Sequence, residues 1–166
     1  MVVAVNLSAV QFHENDIVAI VARTLAASGL EPRWLELEIT EGVIMQEPER
    51  VVRVLQELRD LGVKLSIDDF GTGYSSLSYL KRFPIDKIKI DKSFVSDLDR
   101  STSNTAIVRM VIAIAGELEH KVIAEDVETA EQLEFLRQHN CVEYQGFLCS
   151  RAVPAMDVPR LLGRDS

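Results

Sequence analysis

The sequence predicts a parallel α/β barrel, because short apolar strands alternate with helices and nearly every strand ends in a polar side chain. The chain has 166 residues, enough for one domain with a core of ordinary size. Strand–helix alternation at this spacing indicates right-handed βαβ units. An open doubly wound sheet also binds ligands at the carboxyl edge of its strands. The barrel is favoured because the polar groups come from every strand and not from one switch point.

Six segments have the length and apolar content of buried strands. A barrel typically needs roughly eight strands in ~250 residues, so two strands of a (β/α)8 TIM-type barrel are missing from this prediction. Each predicted strand ends in a polar residue whose side chain could bind a ligand or take part in catalysis, such as Asn6, Asp68 or Glu125. The predicted strands are Val2–Leu7, Leu35–Thr40, Lys64–Asp68, Lys87–Asp91, Val122–Glu125 and Val142–Gln145.

Helical patterns fill the segments between these strands. Ile17–Ser28 repeats apolar residues at helical spacing and stops before Gly29, a common residue just after a helix. Pro48–Leu61 starts with proline at the first helical position and carries one apolar stripe. Further helices are predicted at Ser101–Leu118, Ala130–His139 and Val158–Leu162.

Composition excludes several classes of protein. The net charge is −8, so non-specific binding of a nucleic-acid polymer through a basic surface is not expected. Two cysteines in a chain of this length do not make a disulfide framework, and reduced cytoplasmic thiols are the expectation. The longest apolar run, Met110–Ala115, is far too short to cross a bilayer, and a signal peptide is not expected because Met1–Val5 shows no basic n-region or cleavage site.

The pair Asp68–Asp69 is the strongest chemical signal in the chain. It follows the apolar run Val63–Ile67 directly and is followed by the turn Gly71-Thr72-Gly73. Two adjacent ionised carboxylates repel each other, and burying them without a cation is unfavourable. One or two divalent metal ions would relieve that repulsion. The alternative is an Asx-turn that caps the glycine loop, which requires only one of the two aspartates.

Other polar residues on the strands indicate a functional site only when they are considered together. Considered alone, Glu38 is predicted to be a surface residue, but together with Asp68 and Glu125 it becomes a plausible metal ligand. Lys89 and Asp91 share one face of a strand, which predicts either an inward functional pair or a buried ion pair.

The chain resembles the EAL-domain family of cyclic-di-GMP phosphodiesterases. The resemblance rests on six motifs in the family's order, which together are much more specific than any one of them. They are Val5–Ser8, Leu35–Glu41, Ile67–Leu77, Lys87–Phe94, Val122–Thr129 and Tyr144–Phe147.

The resemblance implies a barrel with a two-metal site for Mg²⁺ or Mn²⁺, inhibited by Ca²⁺, that hydrolyses cyclic di-GMP to linear pGpG. Two metals a few Å apart would activate a water and clamp both oxygens of an in-line displacement. The implied first metal has the ligands Asn6, Glu38 and Asp68. Asp68 would be shared with a second metal, held also by Asp69 and Glu125.

The resemblance also assigns roles around the metals. Lys89 would contact the attacking water or the phosphate as a base or an electrostatic stabiliser, with Asp91 setting its charge state. Glu41 would anchor the loop after the third strand. The remaining substrate contacts would come from Gln145, Asp69 and Glu128.

Two departures from the family pattern shape the expectations. The chain contains no Glu-Ala-Leu motif, so residues 1–166 are expected to be a partial EAL domain, the C-terminal three-quarters, without its first two strands. Such a fragment is expected to be inactive alone. Asp126 stands where the family usually has glycine, and aspartate tolerates the left-handed conformation that glycine favours.

Alternatives to the enzyme remain open at this point. One is a non-catalytic cyclic-di-GMP receptor or protein-interaction module, and another is an unrelated sugar or phosphate enzyme on the same barrel. The family also implies a homodimer and sensory or diguanylate-cyclase (GGDEF) domains in the parent protein, which is expected to be cytoplasmic or tethered to a membrane.

Overall fold

A computed structural model describes residues 1–13, 16–73, 77–98 and 102–163. Within these residues one sheet runs in the order β1-β2-β3-β4-β5-β6, and every neighbouring pair is parallel. This consecutive parallel order is that of a (β/α) barrel and confirms the predicted fold class. The strands are β1 Val3–Leu7, β2 Leu35–Thr40, β3 Lys64–Phe70, β4 Lys87–Ile90, β5 Lys121–Ala124 and β6 Glu143–Tyr144.

The long helices lie where the apolar periodicity predicts them, within one or two residues. Ser101, the predicted start of one helix, lies outside the described residues. The other short helices have no predicted counterpart, because one turn shows no periodicity. The helices are α1 Ala9–His13, α2 Ile17–Ser28, α3 Glu41–Ile44, α4 Pro48–Asp60, α5 Leu77–Leu80, α6 Lys92–Val95, α7 Thr102–Glu117, α8 Ala130–Gln138 and α9 Val158–Leu161, with 3₁₀ turns at Pro32–Trp34 and Ala155–Asp157.

The two faces of the sheet differ in chemistry. Side chains alternate along each strand, so one set points to the outer helices and the other to the inside of the curved sheet. The outer set of β2, β3 and β4 is apolar and buried with the helices: Leu37, Ile39, Leu65, Ile67, Ile88 and Ile90. The inner set is polar and also buried: Glu36, Glu38, Ser66, Asp68 and Lys89. Hydrophobic burial by the helices therefore fixes a charged interior in place.

The inner charges form two layers along β4. In the first layer, near the strand starts, Lys87 Nζ lies 3.2 Å from Glu36 Oε2 and 3.3 Å from Glu143 Oε2. Glu143 also pairs with Lys121 at 3.4 Å. Although burial opposes it, the charges of Glu36 and Glu143 raise the pKa of Lys87 above its ordinary value. The second layer, around Lys89, lies two residues closer to the carboxyl ends of the strands.

Among the residues that the structure describes, the sheet has two open edges, because β1 and β6 each pair on one side only. Apolar residues are exposed at both edges: Val3 and Val5 of β1 are each 43% exposed, and Val142, next to β6, is 76% exposed. An edge strand with unpaired backbone groups and apolar side chains is available for further pairing. Across the described part of the chain, no helix has the length and hydropathy to span a membrane. Cys141 and Cys149 are both free thiols.

Candidate metal centre

A bulge in β3 brings the two adjacent aspartates to the same mouth of the sheet. The pairing of β3 with β4 shifts register between Ile67 and Phe70, and Asp69 adopts a left-handed backbone with φ 54°. In a regular strand, Asp68 and Asp69 would point to opposite faces. The bulge redirects Asp69, so that carboxylate oxygens of Asp68, Asp69 and Glu125 all lie within 4.8 Å of one another.

Lys89 lies at the centre of the buried carboxylates. Its Nζ is 2.8 Å from Glu38 Oε2, 3.0 Å from Asp68 Oδ1 and 2.7 Å from Glu125 Oε1. These partners come from β2, from β3 and from the residue that follows β5. Burial opposes protonation, but hydrogen bonds to the three carboxylates outweigh it and raise the pKa of Lys89. The side chain therefore stays a cation in this geometry.

Asn6, at the carboxyl end of β1, meets the same carboxylates from the open edge. Of the two terminal atoms of its amide group, the one that faces the cluster lies 3.2 Å from Asp68 Oδ2 and 3.2 Å from Glu38 Oε2. With nitrogen at that position, the amide donates to both carboxylates. With oxygen there, three oxygens face each other, which is favourable only around a cation.

The residues after β5 and β6 close the other side of the mouth. Gln145 Nε2 donates to Glu125 Oε1 at 2.6 Å, so the predicted site residue Gln145 does lie at the cluster. Burial raises the pKa of Glu125 above its ordinary value, and the pairing with Lys89 counters that rise only in part. Burial and the charge of Asp68 likewise raise the pKa of Asp69. Burial is the larger cause of both rises, and repulsion from neighbouring carboxylates adds to it.

Asp91 does not pair with Lys89, which differs from the expectation that the two residues interact. Asp91 instead begins α6 as its N-cap and accepts hydrogen bonds from the backbone N–H of Ser93 (2.9 Å) and from Ser93 Oγ. Burial works in the other direction, but these hydrogen bonds lower the pKa of Asp91. Sequence reasoning missed Ser93, although an aspartate two residues before a serine is a recognisable capping signal.

Glu41 lies beneath the loop that follows β3. It is 2% exposed, and its Oε2 accepts hydrogen bonds from the backbone N–H groups of Gly71 (2.9 Å) and Gly73 (3.2 Å). A Cβ atom on Gly73 would lie 2.8 Å from Glu41 Oε1, so only glycine lets the loop approach this closely. Tyr74, Ser75 and Ser76, the rest of this motif, lie outside the described residues.

We expect Glu41→Gln to lower the free energy of unfolding by about 1–3 kcal/mol, because the substitution replaces a buried charged acceptor of two hydrogen bonds. The loop should also open locally, which hydrogen exchange at Gly71 and Gly73 would measure. Glu49→Gln is the matched control, since the Glu49 carboxylate is exposed and meets Arg82 and the hydroxyl of Tyr79 at the surface. Unchanged exchange at both glycines in Glu41→Gln would contradict the anchoring role.

The sequence predictions for Asp126 and Glu128, which follow β5, have different outcomes. Asp126 has φ 55°, so it takes the left-handed conformation that aspartate tolerates and glycine favours. Glu128 is exposed, and its backbone N–H donates to Gln132 Oε1 at 2.8 Å. The described contacts do not bring its carboxylate into the cluster, and its contact with substrate stays a prediction.

The donor set fits divalent metal ions such as Mg²⁺ or Mn²⁺. Carboxylate and amide oxygens are the ligands that these hard cations prefer. The oxygens converge from separate strands, and their mutual repulsion makes a cation favourable. The residues that would hold the ions are Asn6, Glu38, Asp68, Asp69 and Glu125.

Comparison with known proteins agrees with this geometry. Residues 1–152 match the family described as EAL domain. NbdA of Pseudomonas aeruginosa, named a cyclic di-GMP phosphodiesterase, is 47% identical over 152 residues, which is 92% of this chain and 19% of NbdA. MucR of the same species, named a bifunctional diguanylate cyclase/cyclic di-GMP phosphodiesterase, is 45% identical over 92% of this chain and 22% of its own length. The chain thus spans about a fifth of these relatives.

Solved structures share the fold. The PaMucR phosphodiesterase in complex with c-di-GMP has 44% identity and a TM-score of 0.93, covering 95% of this chain and 64% of that one. Klebsiella pneumoniae BlrP1, in a manganese/cy-diGMP complex, has 40% identity and a TM-score of 0.81, covering 90% of this chain and 38% of that one. On the family match and these identities, the chain belongs to the EAL domain family.

Proposed function

We propose that this chain forms most of the active site of a cyclic-di-GMP-specific phosphodiesterase that depends on divalent metal ions and produces linear pGpG. The observation that carries the proposal is the convergence of the Asp68, Asp69 and Glu125 carboxylates within 4.8 Å. The family match and the named activities of NbdA and MucR support it. Because the chain spans only part of those proteins, the whole-protein activity is part of the proposal.

In this proposal the carboxylates divide between two cations. Asn6, Glu38 and Asp68 hold one, Asp69 and Glu125 help to hold the other, and Asp68 is shared. Mg²⁺ or Mn²⁺ would supply Lewis acidity and an activated water. Ca²⁺ prefers longer bonds and a less regular geometry, so we expect it to permit binding but to inhibit hydrolysis. The manganese and calcium complexes of BlrP1 with cy-diGMP support a site open to both ions.

The protein's own residues position the phosphodiester. In the geometry without metal, burial lowers the pKa of Lys89 but its hydrogen bonds to Glu125, Glu38 and Asp68 outweigh that effect, so its ammonium can donate to a phosphate or water oxygen. Its two predicted roles, as a base or as an electrostatic stabiliser, both stay predictions. Gln145 lies at the mouth of the site, where its amide can orient a bound nucleotide. Glu41 and Asp91 act on the loop and on α6 as positioning residues.

Product analysis separates the enzyme from a receptor. The whole protein that contains this chain is incubated with cyclic di-GMP after EDTA treatment, and then with Mg²⁺, Mn²⁺ or Ca²⁺, and the nucleotides are separated by chromatography. We expect pGpG only with Mg²⁺ or Mn²⁺. Calorimetric binding of cyclic di-GMP without pGpG under any of these conditions would show a non-catalytic receptor instead.

Further parts of the proposal concern the protein around this chain. The 166 residues alone should have little activity, because the sheet is open between β1 and β6. Strong Mg²⁺-dependent turnover by these residues alone would contradict that. Homodimer formation, a cytoplasmic location and a partner sensory or diguanylate-cyclase domain stay predictions, the last supported by the bifunctional name of MucR.

A further inference from the structure

We propose that Lys89 is the resident counter-cation of this centre: its ammonium holds the carboxylates together before a divalent ion binds, and it competes with that ion for the same oxygens. The inference rests on the proposed function only in taking these carboxylates as metal ligands. It concerns the assembly of the site and its affinity for metal, which are separate from hydrolysis.

The contacts of Lys89 carry the argument. All three of its carboxylate partners, Glu38, Asp68 and Glu125, belong to the proposed ligand set, and each is within 3.0 Å of Nζ. Lys89 is 4% exposed, so water contributes little to screening these charges. Asp69 is the one proposed carboxylate ligand without an ion pair to Lys89 among the described contacts.

Electrostatics gives this arrangement two consequences. Without Lys89, three carboxylates from different strands would face each other in the interior, which strongly destabilises a folded protein. With Lys89 in place, an arriving divalent ion meets oxygens that an ammonium already neutralises. Two cations a few Å apart repel each other, so Lys89 must weaken the affinity for metal. Stability without metal is therefore gained at the expense of metal affinity.

The chain provides a matched control on the same strand. Lys87 lies two residues before Lys89 on the same inner face, and it also pairs with two carboxylates, Glu36 and Glu143. Neither of these belongs to the proposed ligand set. Removing Lys87 therefore takes away the ion pair of the inner carboxylate Glu36, while Glu143 keeps its pair with Lys121, and the charge at the metal centre does not change.

The test compares Lys89→Met with Lys87→Met and wild type, in EDTA and in saturating Mn²⁺. Thermal unfolding gives Tm, and calorimetry gives the Kd for Mn²⁺. In EDTA we expect Lys89→Met to lose about 10 °C in Tm. Mn²⁺ should restore more than half of that loss, and the Mn²⁺ Kd should be about tenfold tighter than in wild type.

Lys87→Met should show a similar loss of Tm in EDTA and in Mn²⁺, and its Mn²⁺ Kd should stay within about twofold of wild type, because its charge lies in the other layer. An equal loss of Tm for Lys89→Met with and without Mn²⁺, or an unchanged or weaker Mn²⁺ Kd, would overturn the proposal. Neither readout uses cyclic di-GMP, so a failure to hydrolyse it would count against the proposed function and leave this inference standing.

A second variant keeps the test decisive if Lys89→Met does not fold in EDTA. In Lys89→Met combined with Glu125→Gln, one negative charge leaves with the positive one. We expect this double variant to fold in EDTA and to be more stable than Lys89→Met. Where both variants fold, the double variant should have the higher Tm. A double variant that is no more stable than the single one would contradict the counter-cation role.

Discussion

Asp68→Asn is expected to lower the rate of cyclic di-GMP hydrolysis by about a thousandfold or more, the largest effect of any single substitution considered. Asp68 pairs with Lys89 at 3.0 Å, lies within 4.8 Å of the Asp69 and Glu125 oxygens, and is the proposed ligand shared by both cations. Asparagine keeps the size of the side chain but loses its charge. Steady-state kinetics of the whole protein that contains this chain, in Mn²⁺, measures the effect as a fall in kcat.

Asp86→Asn provides the control for this change. Asp86 lies just before β4, at the opposite end of the strands, and its Oδ2 accepts from the Leu65 N–H at 2.9 Å. Asparagine retains an oxygen that can accept this bond, so kcat should stay within about threefold of wild type. If Asp68→Asn kept more than a tenth of wild-type kcat, a metal site centred on Asp68 would be untenable.

Gly146→Ala is expected to lower the free energy of unfolding by about 3 kcal/mol or more, through direct backbone overlap. Gly146 has φ 150°, and a Cβ there would lie 2.3 Å from both the nitrogen and the oxygen of Val127. These two atoms bond to the Gln145 oxygen and the Leu148 N–H, each at 3.0 Å. The added methyl group must push apart the segments that follow β5 and β6 and break these bonds, which also displaces Gln145 from Glu125.

Gly116→Ala is the matched substitution, measured in the same denaturant titrations. Gly116 lies in α7, and an added Cβ meets nothing within 4 Å. Alanine favours the helix, so this variant should be more stable than wild type by about 0.5–1 kcal/mol. Equal stabilities for the two variants would show that the close contact at Gly146 carries no energetic weight.

The sequence was sufficient for the order and type of the main elements but less so for their ends. The apolar alternation of β2, Leu35–Thr40, gives both its limits and its inner face. β3 instead runs to Phe70, beyond the predicted end at Asp68. The loop that follows the bulge and the left-handed Asp69 is held by Glu41, the first residue of α3. A contact between segments this far apart has no local signature in the sequence.

The partners of Lys89 show the same limit. Spacing along β4 places Lys89 and Asp91 on one face, so the sequence suggested that they pair. The fold of the sheet instead sets Lys89 against carboxylates of β2, of β3 and of the residue after β5, while Asp91 accepts from the Ser93 N–H. The polar residue types near the strand ends could thus be predicted from the sequence, whereas the pairing between them required the three-dimensional register.

We propose that carboxylates from neighbouring strand ends bind divalent cations. A crystal structure with Mn²⁺ and cyclic di-GMP tests this binding most directly. An anomalous difference map locates the manganese without reference to the protein. We expect peaks that contact Asp68, one of them shared with Asp69 and Glu125, and a Lys89 ammonium that has moved away from at least one carboxylate. No anomalous peak at these oxygens, with Lys89 still paired to all three carboxylates, would contradict the account.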